Sequence, residues 1–317
     1  MEKKNKSVVI KIIVAVCIVA VVAVGTILTI FFIDKYNKEG NGETENTTTD
    51  VESIVDYEKP DYSEYIEINP ETVGWISIPG TKIDYPVVQT LDNSYYMSHD
   101  FNRKSDYHGA IFMDSRNNST DLDSNTIIYG HNSYTDGKVF TPLAQYESID
   151  FYKEHPIIEF NTLERCYKWK IYAVIITNRQ PLEDNNYVFN YVYPHVEGSN
   201  FKGYIEELNK RTLYFTGVDI KNGDKILTLQ TCIRSLDITG NSKYPHDYPK
   251  SNPTTYRAEG GIIVIARAVR PGEDSTVDTS VAKINPNPKY PQIYYDKHGL
   301  TNPYINDKKW YPTKVVK

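Results

Sequence analysis

Residues 225–232 read KILTLQTC and residues 125–131 read NTIIYGH. Both are apolar runs of strand length, and each ends on a residue able to do chemistry, a cysteine in one and a histidine in the other. A strand end, where a rigid element meets a loop, is a common place to display a functional side chain. Similar runs recur along the chain: WISIPG from Trp75, YPVVQ from Tyr85, GAIFMD from Gly109, PIIEF from Pro156, YKWKIYAVII from Tyr167 and GIIVIARAV from Gly261. Eight such runs predict a mainly β protein, an eight-stranded, closed or nearly closed β-barrel. Helical spacing is scarcer. It is confined to Ser63–Thr72, to Pro142–Tyr152, where Leu143, Tyr146 and Ile149 share a face, and to Phe201–Lys210.

The barrel runs lie inside a longer architecture. From Ile12 to Ile33 there are 22 residues without a charge, enough helix to cross a hydrocarbon core of about 30 Å. Lys3, Lys4, Lys6 and Lys11 precede this run, which puts the N-terminus in the cytoplasm and the bulk of the protein outside. A cleaved signal peptide is the rival reading, but the apolar core is longer than the usual range of roughly 7–15 residues and lacks a small-residue cleavage site. The chain therefore divides into a basic flank and single transmembrane helix at 1–36, a polar extracellular stalk at 37–59, a catalytic domain at 60–270, and a Pro/Tyr-rich extension at 271–317 that reads as an irregular strap or a partly disordered tail.

Composition narrows the function. The 317 residues carry a formal charge of −6, which argues against a nucleic-acid partner. Hydrophobic residues at 40% and charged residues at 24% are ordinary for a globular chain, and 27 tyrosines suit strands. The three cysteines, Cys17, Cys166 and Cys232, form no CxxC pair and suggest neither disulfide nor zinc. A free thiol on an exported domain is either buried and inert or kept for its reactivity. Cys166, inside a strand run, reads as a packed thiol. Cys232 at a strand end reads as the reactive one, and an imidazole such as that of His131 can take or share its proton. His99, His108, His155, His195, His246 and His298 have no metal-site spacing, and His246 sits in the long polar segment after Cys232. No cofactor or metal is expected.

TLQTC at 228–232 and IIYGHN at 127–132 resemble the TLxTC and IYGHN motifs of the sortases, class B in particular. GWISIPGTKIDYPVVQ at 74–89, DNSYYMSHDF at 92–101, GAIFMDSR at 109–116 and DGKVFTPLAQY at 136–146 extend the likeness over roughly residues 60–270. The resemblance implies an eight-stranded sortase-type barrel with a few peripheral helices and an N-terminal anchor. It also implies a cysteine transpeptidase: Cys232 attacks a threonine carbonyl in the sorting motif of an exported protein, and His131 acts as acid and then base. A peptidoglycan cross-bridge or a pilin amine then accepts the thioacyl group. Asn93, Met97, Tyr129 and Thr231 match positions that line the family's substrate groove. The family also places an arginine directly before its last apolar strand, where this chain has Gly260-Gly261. Arg257 is the first candidate for that role and Arg234 the second. Two other functions use the same residues differently, an extracellular cysteine hydrolase or endopeptidase, and a catalytically degenerate binding module.

Overall fold

A computed structural model describes residues 61–241, 243–244 and 255–313. The apolar span at 12–33, the stalk, and residues 242 and 245–254 of the long segment after Cys232, His246 among them, lie outside the described residues. Among the described residues no helix is long and apolar enough to cross a membrane.

The eight apolar runs become β1 (Thr72–Ser77), β2 (Asp84–Val88), β3 (Phe112–Met113), β4 (Asn125–Tyr129), β5 (Ile157–Thr162), β6 (Lys168–Asn178), β8 (Ile226–Ile233) and β11 (Gly260–Ala268). They hydrogen-bond in the order β1-β2-β3-β4-β8-β11-β6-β5, and β5 pairs back onto β1 to close the barrel. The eight-stranded barrel expected from the sequence is the fold. Two-residue strands form two further pairs, β7 (Tyr214–Phe215) with β12 (Lys283–Ile284), and β9 (Ile238–Thr239) with β10 (Thr255–Tyr256). Among the described residues there are four short α-helices: α1 (Ser63–Ile68), α2 (Ile149–Glu154), α3 (Phe201–Arg211) and α4 (Gln292–His298).

Burial explains why some runs alternate and others do not. β1 shows strict alternation of buried and half-buried residues. β6, β8 and β11 are buried along almost their whole length. One face of each points into the barrel, with Val174, Leu227, Leu229, Ile262 and Val264 in the main core. Their other face meets a second apolar layer: Ile175, Ile226, Ile263 and Ile265 pack beneath Tyr187, Phe189, Tyr191 and the α3 residues Tyr204 and Leu208. A strand covered on both faces reads as an unbroken apolar run, and GIIVIARAV is such a run.

Two local expectations are corrected. Pro142–Tyr152 is not one helix but a 3₁₀ turn at Thr141–Glu147 followed by α2. Ser148 between them is extended (φ −89°, ψ 128°), and its side chain caps α2 by accepting from the Asp150 N–H. α1 stops at Ile68 rather than running to Thr72, because Asn69 precedes Pro70 and is pushed into the extended region.

Topology decides where strand ends meet. β4 and β8 run parallel, in register from Asn125 opposite Ile226 to Tyr129 opposite Gln230. Both therefore end at the same rim. β11 lies antiparallel between β8 and β6, with Gly261 opposite Cys232 on one side and Thr177 on the other. Beside this rim, residues 187–193 are clamped to the barrel by buried Asn125. Its Nδ2 donates to the carbonyls of Tyr191 and Tyr193, both at 3.0 Å, and its Oδ1 accepts from Thr228 Oγ1 at 2.8 Å. Replacing Asn125 by Ala removes all three hydrogen bonds at once. Asn125→Ala is expected to lower unfolding free energy by about 2–3 kcal/mol in a denaturant titration. A loss below about 0.5 kcal/mol would show that the clamp carries no weight.

Candidate active site

The rim where β4 and β8 end carries both residues singled out by type. Continuing the parallel register two residues past Tyr129 and Gln230 brings the chain to His131 and Cys232 at the same level. Hydrogen bonds fix that edge. Gly130 N donates to Gln230 O at 3.2 Å, Thr231 Oγ1 donates to Gly130 O at 2.8 Å, and Asn132 Nδ2 donates to Cys232 O at 2.9 Å. Cys232 is half-buried and free, and it lines a groove of about 640 Å³ together with His131.

The His131 ring is held by Nε2, which lies 2.8 Å from the Met97 carbonyl. A carbonyl only accepts, so Nε2 carries the hydrogen and Nδ1 is left for proton exchange. The segment beneath the ring turns at Gly109 (φ 62°), where an added Cβ would fall 2.2 Å from Tyr96 O and 3.2 Å from the His131 ring. Glycine is required there on both counts.

The guanidinium at the sulfur belongs to Arg179, a residue that sequence reasoning passed over. Its Nη2 points at Cys232 Sγ over 3.4 Å. Arg179 follows directly after β6, two strands away from Cys232, a lateral distance of roughly 10 Å. Its side chain reaches back past the start of β11, with Nε donating to the Glu259 carbonyl at 3.4 Å, while the β11 position opposite Cys232 is Gly261. Arg257 and Arg234, the two candidates from sequence, line an adjoining cavity of about 560 Å³ that also reaches Cys232 and Arg179. Arg234 faces Asp237 at 4.0 Å. The missed signal was an arginine at the end of YKWKIYAVIITNR, and only the strand order reveals that β6 lies next to β11.

Asn93, Met97, Tyr129 and Thr231 stand on the wall of the groove that Cys232 and His131 line, each with further contacts. Asn93 Oδ1 accepts from Ser115 N at 2.8 Å, and Thr231 spends its hydroxyl on Gly130. Met97 supplies the carbonyl that orients His131. Tyr129 packs on Phe112, with ring centroids 5.2 Å apart, and donates its hydroxyl to Asp114 Oδ2 at 2.7 Å. Burial, reinforced by the Asp114 charge, pushes the Tyr129 hydroxyl pKa far up, so it stays a donor. Residues without an expected role complete the walls: Phe112, Gln230, the segment Val188–Val192, and Tyr311 and Pro312 from the C-terminal extension. Among the described residues no three His, Cys, Asp or Glu converge to hold a metal ion.

The family is shown by likeness to known proteins. The chain belongs to the sortase family of cysteine transpeptidases, whose domain model matches residues 76–244. Within that family its relatives are of the B type. It is 35% identical over 171 residues to sortase B of Listeria monocytogenes, a stretch covering 54% of this chain and 66% of that protein. To sortase B of Staphylococcus aureus it is 32% identical over 175 residues, 55% of this chain and 68% of the relative. The structure resembles the S. aureus sortase B–substrate complex with a TM-score of 0.54 and 28% identity, covering 67% of this chain and 86% of the other. It resembles Clostridium perfringens sortase B with a TM-score of 0.50 and 27% identity, covering 66% and 100%.

Asp114 links the groove to pH. Burial alone would raise its carboxyl, but hydrogen bonds from the Arg116 side chain, the Tyr129 hydroxyl and the Arg116 backbone together hold it below the ordinary value. A carboxyl that ionises more readily folded than unfolded stabilises the protein fully above its unfolded pKa of about 3.9, and this contribution is lost as pH falls through the folded value. Asp114→Asn is therefore expected to be less stable than wild type by about 1–3 kcal/mol near pH 7, with the gap closing below about pH 4. Melting curves of both proteins across pH test this, and a gap that stays constant into acid would contradict it.

Proposed function

We propose that this protein cleaves a C-terminal sorting motif of exported proteins after threonine and transfers them to an amine. The observation that carries the reading is the convergence of Cys232, His131 and Arg179 on one groove. The Cys232 thiolate attacks the threonine carbonyl, and the carbon–nitrogen bond breaks as His131 gives a proton from Nδ1 to the leaving amine. This leaves a thioacyl enzyme. An incoming amine attacks the thioester, His131 takes its proton, and the sulfur departs as thiolate. A guanidinium is permanently charged and suits a fixed donor for the oxyanion or the thiolate, which is the role assigned here to Arg179.

A sortase B is known in complex with triglycine, and an oligoglycine or another cross-bridge amine is the acceptor class proposed for this chain; a pilin lysine is the variant. The uncharged run at 12–33 supports a single-pass anchor with the catalytic domain outside, close to secreted substrates and the wall.

A screen of LPxTG-, NPxTN- and PPxTG-like peptides, with and without triglycine, tests the reaction. At least one peptide should be cleaved, and the amine should appear joined to the N-terminal fragment. Release of free acid alone, whatever the amine concentration, would favour a hydrolase. Cys232→Ala and His131→Ala should abolish cleavage while Cys166→Ala keeps it.

The arginine makes a sharper test. Arg179→Ala is expected to slow acylation by about 10²–10³, the usual loss of an oxyanion donor, whereas Arg257→Ala stays within a few-fold of wild type. A Cβ at Gly261 would meet only Ile263 and Thr231, at 3.3 and 3.5 Å, so a side chain can start there. Arg179→Ala combined with Gly261→Arg, which returns the charge to β11, should recover part of the lost rate. A dead Arg257→Ala beside an active Arg179→Ala would reverse the assignment.

A further inference from the structure

The C-terminal extension lies beyond the residues matched by the family's domain model, and part of it sits in the groove. After β11 the chain pairs as β12 with β7, and Asn285 then donates through Nδ2 to Thr212 O at 2.8 Å. It continues through α4, where Ile293 is fully buried in the main core. Lys297 Nζ donates at 2.7 Å to the carbonyl of Ser235, which lies just past the cysteine in the chain. The last described stretch crosses the second apolar layer. Trp310 lies edge-on to Phe189 and Tyr204, at 5.8 and 5.6 Å between centroids. It packs so closely on α3 that a Cβ at Gly203 would come within 2.4 Å of its ring.

Tyr311 and Pro312 are held from both sides. Before them, the Tyr187 hydroxyl donates to Trp310 O at 3.0 Å. After them, Thr313 N donates to Asn200 Oδ1 at 2.7 Å, and Thr313 O accepts from Asn200 Nδ2 at 3.1 Å and from the Tyr193 hydroxyl at 3.3 Å. Tyr311 packs edge-on against Tyr187 yet stays 64% exposed, and with Pro312 it lines the groove shared by Cys232, His131 and Arg179. An aromatic side chain on a fixed backbone loses little entropy when a ligand covers it.

We infer that the strap, through Tyr311 and Pro312, is a specificity-determining wall of the Cys232 groove that selects substrate peptides carrying an uncharged, apolar side chain against it. The chemistry of the lining supports this. Among the described residues, Arg179 and His131 are its only ionisable cationic groups, and no carboxylate lines it, so charge elsewhere along the wall would be stripped of water without a partner. This inference rests on the peptide-cleaving function proposed above.

The test has two arms, the first on the full-length protein. In the first, wild type, Tyr311→Phe and Tyr311→Ala are assayed on a peptide set in which each position is either apolar or glutamate. Tyr311→Ala should raise KM for the preferred peptide by about five- to tenfold, the worth of one aromatic contact. It should leave kcat within twofold and weaken the preference for an apolar residue at one position, while Tyr311→Phe behaves as wild type. Because Tyr311 is largely exposed, folding should survive, whereas a chain ending at Lys309 also loses Trp310 and its packing on α3. The second arm compares Cys232 alkylation in wild type and in that shortened chain. A bulky maleimide should react several-fold faster once the strap is gone, with iodoacetamide little changed. Unaltered KM and selectivity in Tyr311→Ala would overturn the inference. If no peptide is cleaved by wild type, the proposed function fails, and equal maleimide rates in the two chains would then overturn the wall as well.

Discussion

The parallel, in-register pairing of β4 with β8 is the constraint on which the site depends. Parallel neighbours cannot be joined by a tight turn, and here about a hundred residues of chain separate the two strands. In exchange, both strands finish at one rim, and His131 and Cys232 line one groove there. Antiparallel pairing of the same two runs would send YGHN and TLQTC to opposite ends of the barrel. Thr231 and Asn132 reinforce the register with hydrogen bonds across the strand ends, so fixing the ladder also fixes where Cys232 and His131 stand on the rim.

The guanidinium beside the sulfur comes from a different strand than the resemblance implies. Where the family pattern has an arginine directly before the last apolar strand, this chain has two glycines, and a guanidinium arrives from the next strand over.

A second apolar layer gives the groove its depth. Barrel strands usually show one face to the core and the other to solvent or a partner layer; β6, β8 and β11 spend their outer face on Tyr187, Phe189, Tyr191 and α3. The same layer receives Trp310, which fastens the extension in place. Packing that stabilises the barrel therefore also sets the height of the groove wall beside Cys232, and the extension becomes part of the site rather than a tail.

By itself the sequence determined the eight strand runs and the cysteine and histidine at two strand ends, because these are written in local periodicity and short contiguous motifs, while the groove positions Asn93, Met97, Tyr129 and Thr231 followed from the resemblance of those motifs to the sortases. The break at Ser148 was not legible, since a shared apolar face cannot distinguish one helix from a 3₁₀ turn capped into the next. Arg179, Tyr311 and Pro312 were not legible either. Their places in the groove come from a neighbour 53 residues away in the case of Arg179 and from the C-terminal stretch that lines the same groove in the others. Strand order and layer packing decide such contacts, and neither leaves a periodic trace in the chain.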